Sequence, residues 1–207
     1  MLPRSFYARR TLTVARELIG MHLVRAYRNT QLIGRIVETE AYQGPQDLAA
    51  HSARGKTMRN AVMFGPPGHA YVYLIYGMWD CVNVVTREQG VPHAVLIRAV
   101  EPIANIAGKT WGPGLLCKTL HIDRRLNGVD LCETTANPRL WIAAPSEPTS
   151  NFRRSKIARA PRIGVDYAGN WAHKPWRFYD RDSPYVSTLS AAKRRKALAI
   201  RPLGASY

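Results

Sequence analysis

Cysteine is scarce in this chain, and its three copies form no pattern. Cys81, Cys117 and Cys132 are odd in number and sit in no Cys-x-x-Cys pair, which argues against a disulfide framework and for reduced core thiols. The six histidines are scattered without metal-ligand spacing, so no zinc site is predicted, and no motif calls for a cofactor. No apolar run is long enough to span a bilayer, and the opening residues Met1 to Tyr7 lack a signal-peptide core. The expected compartment is therefore the cytoplasm.

The shortage with most consequence is of negative charge. Only 14 Asp and Glu face 30 Lys and Arg, a formal net charge of +16 over 207 residues. A domain this basic has a polyanionic partner. A membrane surface would call for a basic amphipathic helix or a lipidation signal, and the chain shows neither; DNA or RNA is the better polyanion. Hydrophobic residues at 46% and charged residues at 21% argue against global disorder. The length suits one domain with a sizeable core, alone or with a tail.

Hydrophobic periodicity predicts a helix over Thr11 to Ile19, with Leu12, Ala15, Leu18 and Ile19 on one face and Gly20 at its stop. Strands follow at Met21 to Tyr27 and Leu32 to Tyr42, the second broken by Gly44-Pro45, and then a helical turn over Gln46 to Ser52. His69 to Tyr76, Cys81 to Thr86 and Val95 to Ala99 read as three more strands, the last two joined across Arg87-Glu-Gln-Gly. Pro113 to Leu120 suits a helix with proline in its first turn. Asn127 to Ser150 reads as irregular, with Thr134 to Pro138 in a loop, and Arg159 to Val165 and Arg177 to Tyr179 as strands. The strands leave too little room for crossover helices. The expectation is an α+β fold: a single compact domain, residues 1–190, around a mostly antiparallel, curved β-sheet with peripheral helices. Residues 191–207 form a basic C-terminal tail that reads as a frayed, solvated terminus, or alternatively as an arm adding phosphate contacts.

Within the sheet, some residues do not belong to an ordinary strand. On Leu32 to Tyr42, alternation places Ile36, Glu38, Glu40 and Tyr42 on one face and Val37, Thr39 and Ala41 on the other. A salt-bridged edge strand would explain the two acids, but they lie just before a Gly-Pro break, where catalytic side chains commonly emerge. Tyr71, Tyr73 and Ile75 share a face opposite Val72, Leu74 and Tyr76. One tyrosine face belongs to the core, while Tyr76 before Gly77 suggests an exposed ring at a turn, which is how proteins wedge into base stacks. Asn83 within Cys-Val-Asn-Val-Val needs partners, as a structural amide or as a reader of base edges. Arg98 within Val-Leu-Ile-Arg-Ala-Val needs an acid, and Glu38 and Glu40 are among the few available.

The runs Arg35-Ile-Val-Glu-Thr-Glu-Ala-Tyr42, Ala70-Tyr-Val-Tyr-Leu-Ile-Tyr-Gly-Met78 and Val95-Leu-Ile-Arg-Ala-Val-Glu-Pro102 strongly resemble the 3-methyladenine (alkyladenine) DNA glycosylase family. So do Gly112-Pro-Gly-Leu-Leu-Cys-Lys118, Arg162-Ile-Gly-Val-Asp166 and Arg177-Phe-Tyr179, in the same order. The resemblance implies a monofunctional enzyme that flips alkylated or deaminated purines out of duplex DNA and hydrolyses their N-glycosidic bond, starting base excision repair. It implies Glu40 as the general base that activates water, with Arg98 holding water and carboxylate. Tyr42, His51 and Tyr73 would line the base pocket, with Asn83 at its floor disfavouring the amino group of normal guanine. Tyr76 would fill the gap in the stack, and Thr57, Arg59 and Met78 would contact the DNA backbone. Glu38 becomes a structural or supporting residue.

No lysine is placed for a Schiff base, so hydrolysis without strand cleavage is expected. The implied partner is double-stranded DNA containing damaged purines, with no cofactor, no membrane and no obligate protein partner, for a monomer. Two positions depart from the family pattern: Met58 replaces a common proline, and Asp80 stands where an aromatic residue is frequent. Two other readings compete. A non-catalytic nucleic-acid-binding module, such as an RNA or ribosome partner, explains the charge equally well. A sugar hydrolase would use Glu38 and Glu40 as an acid/base pair, but does not need +16.

Overall fold

Short strands in close succession leave a chain little choice but to pair with its neighbours. In the computed structural model, which describes residues 1–133, 139–145 and 156–200, an α+β domain forms around one such sheet. Two N-terminal helices, α1 (Arg4–Tyr7) and α2 (Thr11–Glu17), precede the hairpin of β1 (His22–Tyr27) and β2 (Thr30–Gln43). A 3₁₀-rich segment leads to β3 (Ala70–Ile75), β4 (Trp79–Thr86) and β5 (His93–Ala104), and then α3 (Pro113–Thr119). The chain ends through β6 (Leu140–Ala143), β7 (Ile157–Ala160), β8 (Arg177–Asp180) and α4 (Ala191–Ile200). The eight strands found among the described residues join one sheet in the order β3-β4-β5-β2-β1-β6, with β8 added beside β2 and β7 beside β8. Every pairing among these strands is antiparallel.

The long strand β2 organises the sheet. Its first half pairs with β1 and its second half with β8, while β5 runs along its other side. The main core packs α2 and α3 against the sheet through Val14, Leu18, Leu116, Leu120, Ile97 and Ile142. The buried face of α2 is Thr11, Val14, Ala15 and Leu18, whereas Leu12 is only half-buried. The Thr11 hydroxyl explains the substitution of a polar residue on that face: it bonds His93 Nδ1 at 2.9 Å and accepts from the Thr86 hydroxyl at 3.1 Å. Gly20 ends the segment at φ 96°.

Four expectations are corrected. Ile36 does not share a face with Glu38: it lies in the core with Ala41. The register slips between Ile36 and Glu38, leaving Val37 as an extra residue on β2, and slips back between Glu38 and Thr39, leaving Arg98 extra on β5. Such bulges reverse the alternation and re-aim side chains beside functional sites. Asn127 to Ser150 is not wholly irregular, because β6 pairs with β1. Strand β7 stops at Ala160, and residues 162–165 turn away as a loop; Gly164 takes φ 73°, which an extended strand does not allow. Residues 191–200 form the helix α4, in which Arg194 is 8% exposed, instead of a frayed end. The loop expected over Thr134 to Pro138 lies outside the described residues.

Candidate active site

Glu38 and Glu40 lie side by side on β2, and both have no exposed surface. Buried charges need partners, and the two find different ones. Glu38 accepts from Arg177 on β8 at 2.8 Å and from the Ser187 backbone N–H at 2.7 Å. Glu40 Oε2 accepts from the Tyr42 hydroxyl at 2.8 Å and from Arg98 at 3.2 Å, and Oε1 accepts from the Ile163 backbone N–H at 2.8 Å. Arg98 links the two, since its Nε stands 3.7 Å from Glu38 Oε1. Burial works against the Arg98 charge, but Glu40 and Glu38 outweigh it and hold the guanidinium above its ordinary value. Burial, then Glu40, pushes the Tyr42 phenol well up, so it remains a proton donor.

In front of this cluster opens a pocket of about 350 Å³, lined among others by Tyr42, His51, Tyr71, Tyr73, Asn83 and Arg98. The volume suits one flat heterocycle. The His51 and Tyr73 rings meet edge-on at 4.4 Å, and Tyr71 and Tyr73 lie 5.2 Å apart. His51 Nδ1 bonds the Tyr71 hydroxyl at 2.9 Å, which orients the imidazole. Burial, with Arg59 adding to it, lowers the His51 pKa, so the ring facing the pocket stays neutral. Asn83 Nδ2 donates to the Tyr71 carbonyl at 3.0 Å; the residue is both a bonded structural amide and part of the pocket lining.

The β3–β4 hairpin forms the pocket's outer lip. Tyr76 and Gly77 take φ 53° and 70° in a three-residue turn between Ile75 and Trp79. That geometry lifts the Tyr76 ring into solvent at 80% exposure, with Met78 next to it at 69%. Thr57 and Arg59 lie on the neighbouring exposed loop. Thr57 caps Asn60 through its hydroxyl at 3.3 Å, and Arg59 donates to the Leu74 carbonyl at 2.7 Å while covering the Tyr73 ring at 5.6 Å. Asp80 faces away from the pocket, into a second cleft with Lys118 and Asp123, and Trp79 stands between the two, lining both.

The sequence-predicted residues Glu40, Arg98, Tyr42, His51, Tyr73 and Asn83 thus converge on one place and Tyr76 stands at its mouth; Arg59 covers Tyr73 from the exposed loop that also carries Thr57, while Met78, in the same turn as Tyr76, lines the second cleft. Several residues escaped sequence reasoning. Tyr71 orients His51, although alternation with Tyr73 offered a signal. Ile163 contributes a backbone N–H, for which no residue-type signal exists. Asp47 and Arg162 form a fully buried bidentate pair at 2.5 and 2.8 Å, and Arg162 also donates to the Ala41 carbonyl at 2.9 Å. That pair fixes the start of the 162–165 loop over Glu40, with the guanidinium 4.8 Å from the Tyr42 ring centre. Among the described residues, no group of three or more His, Cys, Asp or Glu is arranged to hold a metal ion. No described helix is long and apolar enough to cross a membrane.

Comparison with known proteins gives the chain its relatives. A family model described as Methylpurine-DNA glycosylase (MPG) matches residues 5–184. A protein of Legionella pneumophila (strain Corby) is 53% identical over 186 residues, covering 90% of this chain and 97% of its own length. One of Myxococcus xanthus (strain DK1622) is 51% identical over 197 residues, covering 94% and 97%. One of Methanocella arvoryzae (strain DSM 22066 / NBRC 105507 / MRE50) is 50% identical over 201 residues, covering 90% and 96%. Each carries the name "Putative 3-methyladenine DNA glycosylase".

Proposed function

The chain belongs to the methylpurine-DNA glycosylase family, a family of hydrolases acting on the N-glycosyl bond of alkylated bases in DNA, and from that premise we propose how its residues divide the work. The damaged purine, alkylated or deaminated, flips out of the duplex into the pocket of Tyr42, His51 and Tyr73. Tyr76 takes its place in the stack, and Glu40 activates a water for attack at the sugar C1′. Asn83 at the pocket floor disfavours the exocyclic amino group of normal guanine. Thr57, Arg59 and Met78 contact the flanking backbone. The protein works as a monomer.

One observation carries this reading: a carboxylate held at three points, by Tyr42, Arg98 and the Ile163 N–H, behind an aromatic pocket of the size of a base. A carboxylate oxygen has two good acceptor positions. Oε2 uses both, on Tyr42 and Arg98, while Oε1 uses one on Ile163. Oε1 is therefore the oxygen with capacity left to take a proton from water. Glu38 has the same chemistry, but its donors Arg177 and Ser187 lie away from the pocket, whereas Tyr42, Arg98 and Ile163, the donors to Glu40, all line it, which leaves Glu38 a supporting role.

The magnitudes agree with a modest catalyst. Extruding a nucleotide costs a few kcal/mol, least for a damaged or mispaired base. Stacking on aromatic rings returns about 1–3 kcal/mol per base. A positioned general base contributes ~10²–10⁴ in rate. The remaining acceleration comes from the leaving group, because an alkylated purine is already cationic and a neutral lesion can be protonated. Damage is thus selected through its ease of departure.

The test is base release from duplex oligonucleotides carrying one hypoxanthine, ethenoadenine or 7-methylguanine, comparing wild type with Glu40→Gln. Release by wild type, with the variant binding the lesion but releasing it ~10²–10⁴-fold more slowly, is the expected result. Equal release by both proteins would remove Glu40 from the role of base.

A further inference from the structure

The basic run Ala191-Ala-Lys-Arg-Arg-Lys in α4 lies beyond the family-matched residues 5–184. An arm that merely touches phosphates would keep its cationic heads in water, and Lys193 and Arg195 do so. Arg194 does not: it is 8% exposed. Burying a guanidinium is costly unless its donors are met, and here two of them are met by specific carbonyls. Nε donates to Pro184 at 3.1 Å and the terminal nitrogen NH2 donates to Val186 at 2.9 Å. The guanidinium also lies 4.5 Å from the centre of the Trp111 ring, a favourable stacking distance.

Both anchors lead to the active site. The carbonyls belong to the strap that ends at Ser187, whose N–H donates to Glu38 at 2.7 Å. Trp111 bridges to Ala99, and the next residue, Gly112, donates to the Arg98 carbonyl at 3.1 Å. We propose that Arg194 is a positioning residue for the reaction: it clamps the Ser187 strap to the Trp111–Gly112 segment and so fixes how Arg98 is shared between Glu38 and Glu40. This rests on the glycosylase reading above. With the strap loose, Glu38 loses the Ser187 donor and draws on Arg98, which already stands 3.7 Å from it, at the expense of the 3.2 Å contact to Glu40. The pocket that binds the base touches neither α4 nor the strap and meets the clamped segment only at the Gly112 backbone, so the effect is expected on rate and not on capture.

The experiment compares Arg194→Ala with a Lys193→Ala/Arg195→Ala control in single-turnover release of hypoxanthine from duplex DNA, with enzyme in excess. The maximal rate of Arg194→Ala is expected to fall ~10–100-fold, as for other groups that orient catalytic ligands, with the half-saturating enzyme concentration unchanged and the control like wild type. An unchanged maximal rate, or a loss confined to half-saturation, overturns the proposal; the second outcome describes a phosphate-binding arm. Should Arg194→Ala not fold, Arg194→Lys takes its place. It keeps the charge but lacks the planar fork that spans two carbonyls, so the same loss is expected and a wild-type rate overturns the proposal. Amide exchange at Ser187 provides a readout free of any activity: protection must drop in the Arg194 variant and not in the control. If wild-type protein releases no base, the glycosylase reading fails, while the exchange result still decides the clamp.

Discussion

Glu38 and Glu40 are two positions apart on one strand and equally buried, so what separates them is the company each keeps. Glu38 is tied to Arg177 and the Ser187 backbone. Removing one member of a buried pair costs about 3–5 kcal/mol, and Glu38→Ala is expected to lose that much in denaturant unfolding. Glu40→Gln is expected to lose ~10²–10⁴ in base release with a smaller change in stability, measured on the same two assays. His51 gives a pH dependence whose sign can be worked out. Burial, then Arg59, lowers its pKa from the ordinary 6.5, so the unfolded chain takes up the proton first as pH falls. The stability linked to His51 is complete above 6.5 and is lost as pH falls through the window below it. His22 and His93 shift the same way, so the difference between wild type and His51→Gln isolates the term. In that window an imidazolium would also face a cationic alkylated purine, and Glu40→Gln protein is expected to bind 7-methylguanine duplex less tightly. Binding that stays flat from neutral pH to about pH 5 would show that His51 does not titrate against the base. At this scale the residue types were legible in the sequence, because two acids and an arginine inside apolar strands demand an explanation. The division of labour was not legible, since alternation puts both acids on one face.

The hairpin of β3 and β4 works as an element because of its turn. A non-glycine residue at φ 53° is uncommon, and the left-handed region costs an L-residue about 1–2 kcal/mol. Tyr76 sits there and buries little, being 80% exposed. Tyr76→Gly is therefore expected to raise stability by up to about 1 kcal/mol, after the entropy a glycine adds to the unfolded chain. The same change, or Tyr76→Ser, is expected to weaken lesion capture in duplex DNA far more than in single strands, because only a duplex leaves a gap to fill. Equal losses in the two substrates would take the wedge role from Tyr76. The paired bulges of β2 and β5 are a second device of this kind. Period-two alternation assigns Ile36 to the acidic face, and the extra residue Val37 returns it to the core. A bulge leaves no reliable trace in residue type, which is why the strand was legible and its parity was not. Strand β6 was missed for a related reason: four residues, Leu140–Ala143, carry too short a pattern to stand out before β1 is there to pair with them.

For the whole molecule the excess of 30 basic over 14 acidic residues sets the long-range behaviour. Each phosphate neutralised releases a counterion, so affinity for DNA falls with a log–log salt slope of about −0.9 per contact. Binding to undamaged duplex is expected to drop steeply between about 50 and 200 mM salt. The ratio of lesion to undamaged affinity should change little, because stacking in the pocket involves no counterions. A ratio that collapses with salt would place lesion recognition in the charges instead of the pocket. The family model covers residues 5–184, which include the pocket, the hairpin and the two glutamates, while α4 lies outside that match and docks through Arg194.

By itself the sequence determined the polyanionic class of partner, the antiparallel sheet and most of the side chains that converge at the candidate site. Net charge, short strand spacing and polar residues stranded in apolar runs are all local or additive properties, and each survives without knowledge of the fold. Tertiary structure decided what depends on contacts distant along the chain. Ile163 meets Glu40 across 123 positions and Ser187 meets Glu38 across 149, both through backbone N–H groups that any residue carries. Arg162 finds Asp47 across 115 positions. Such pairs are chosen by packing and desolvation, which penalise every buried charge left unmatched, and only the assembled sheet determines which partner lies within reach.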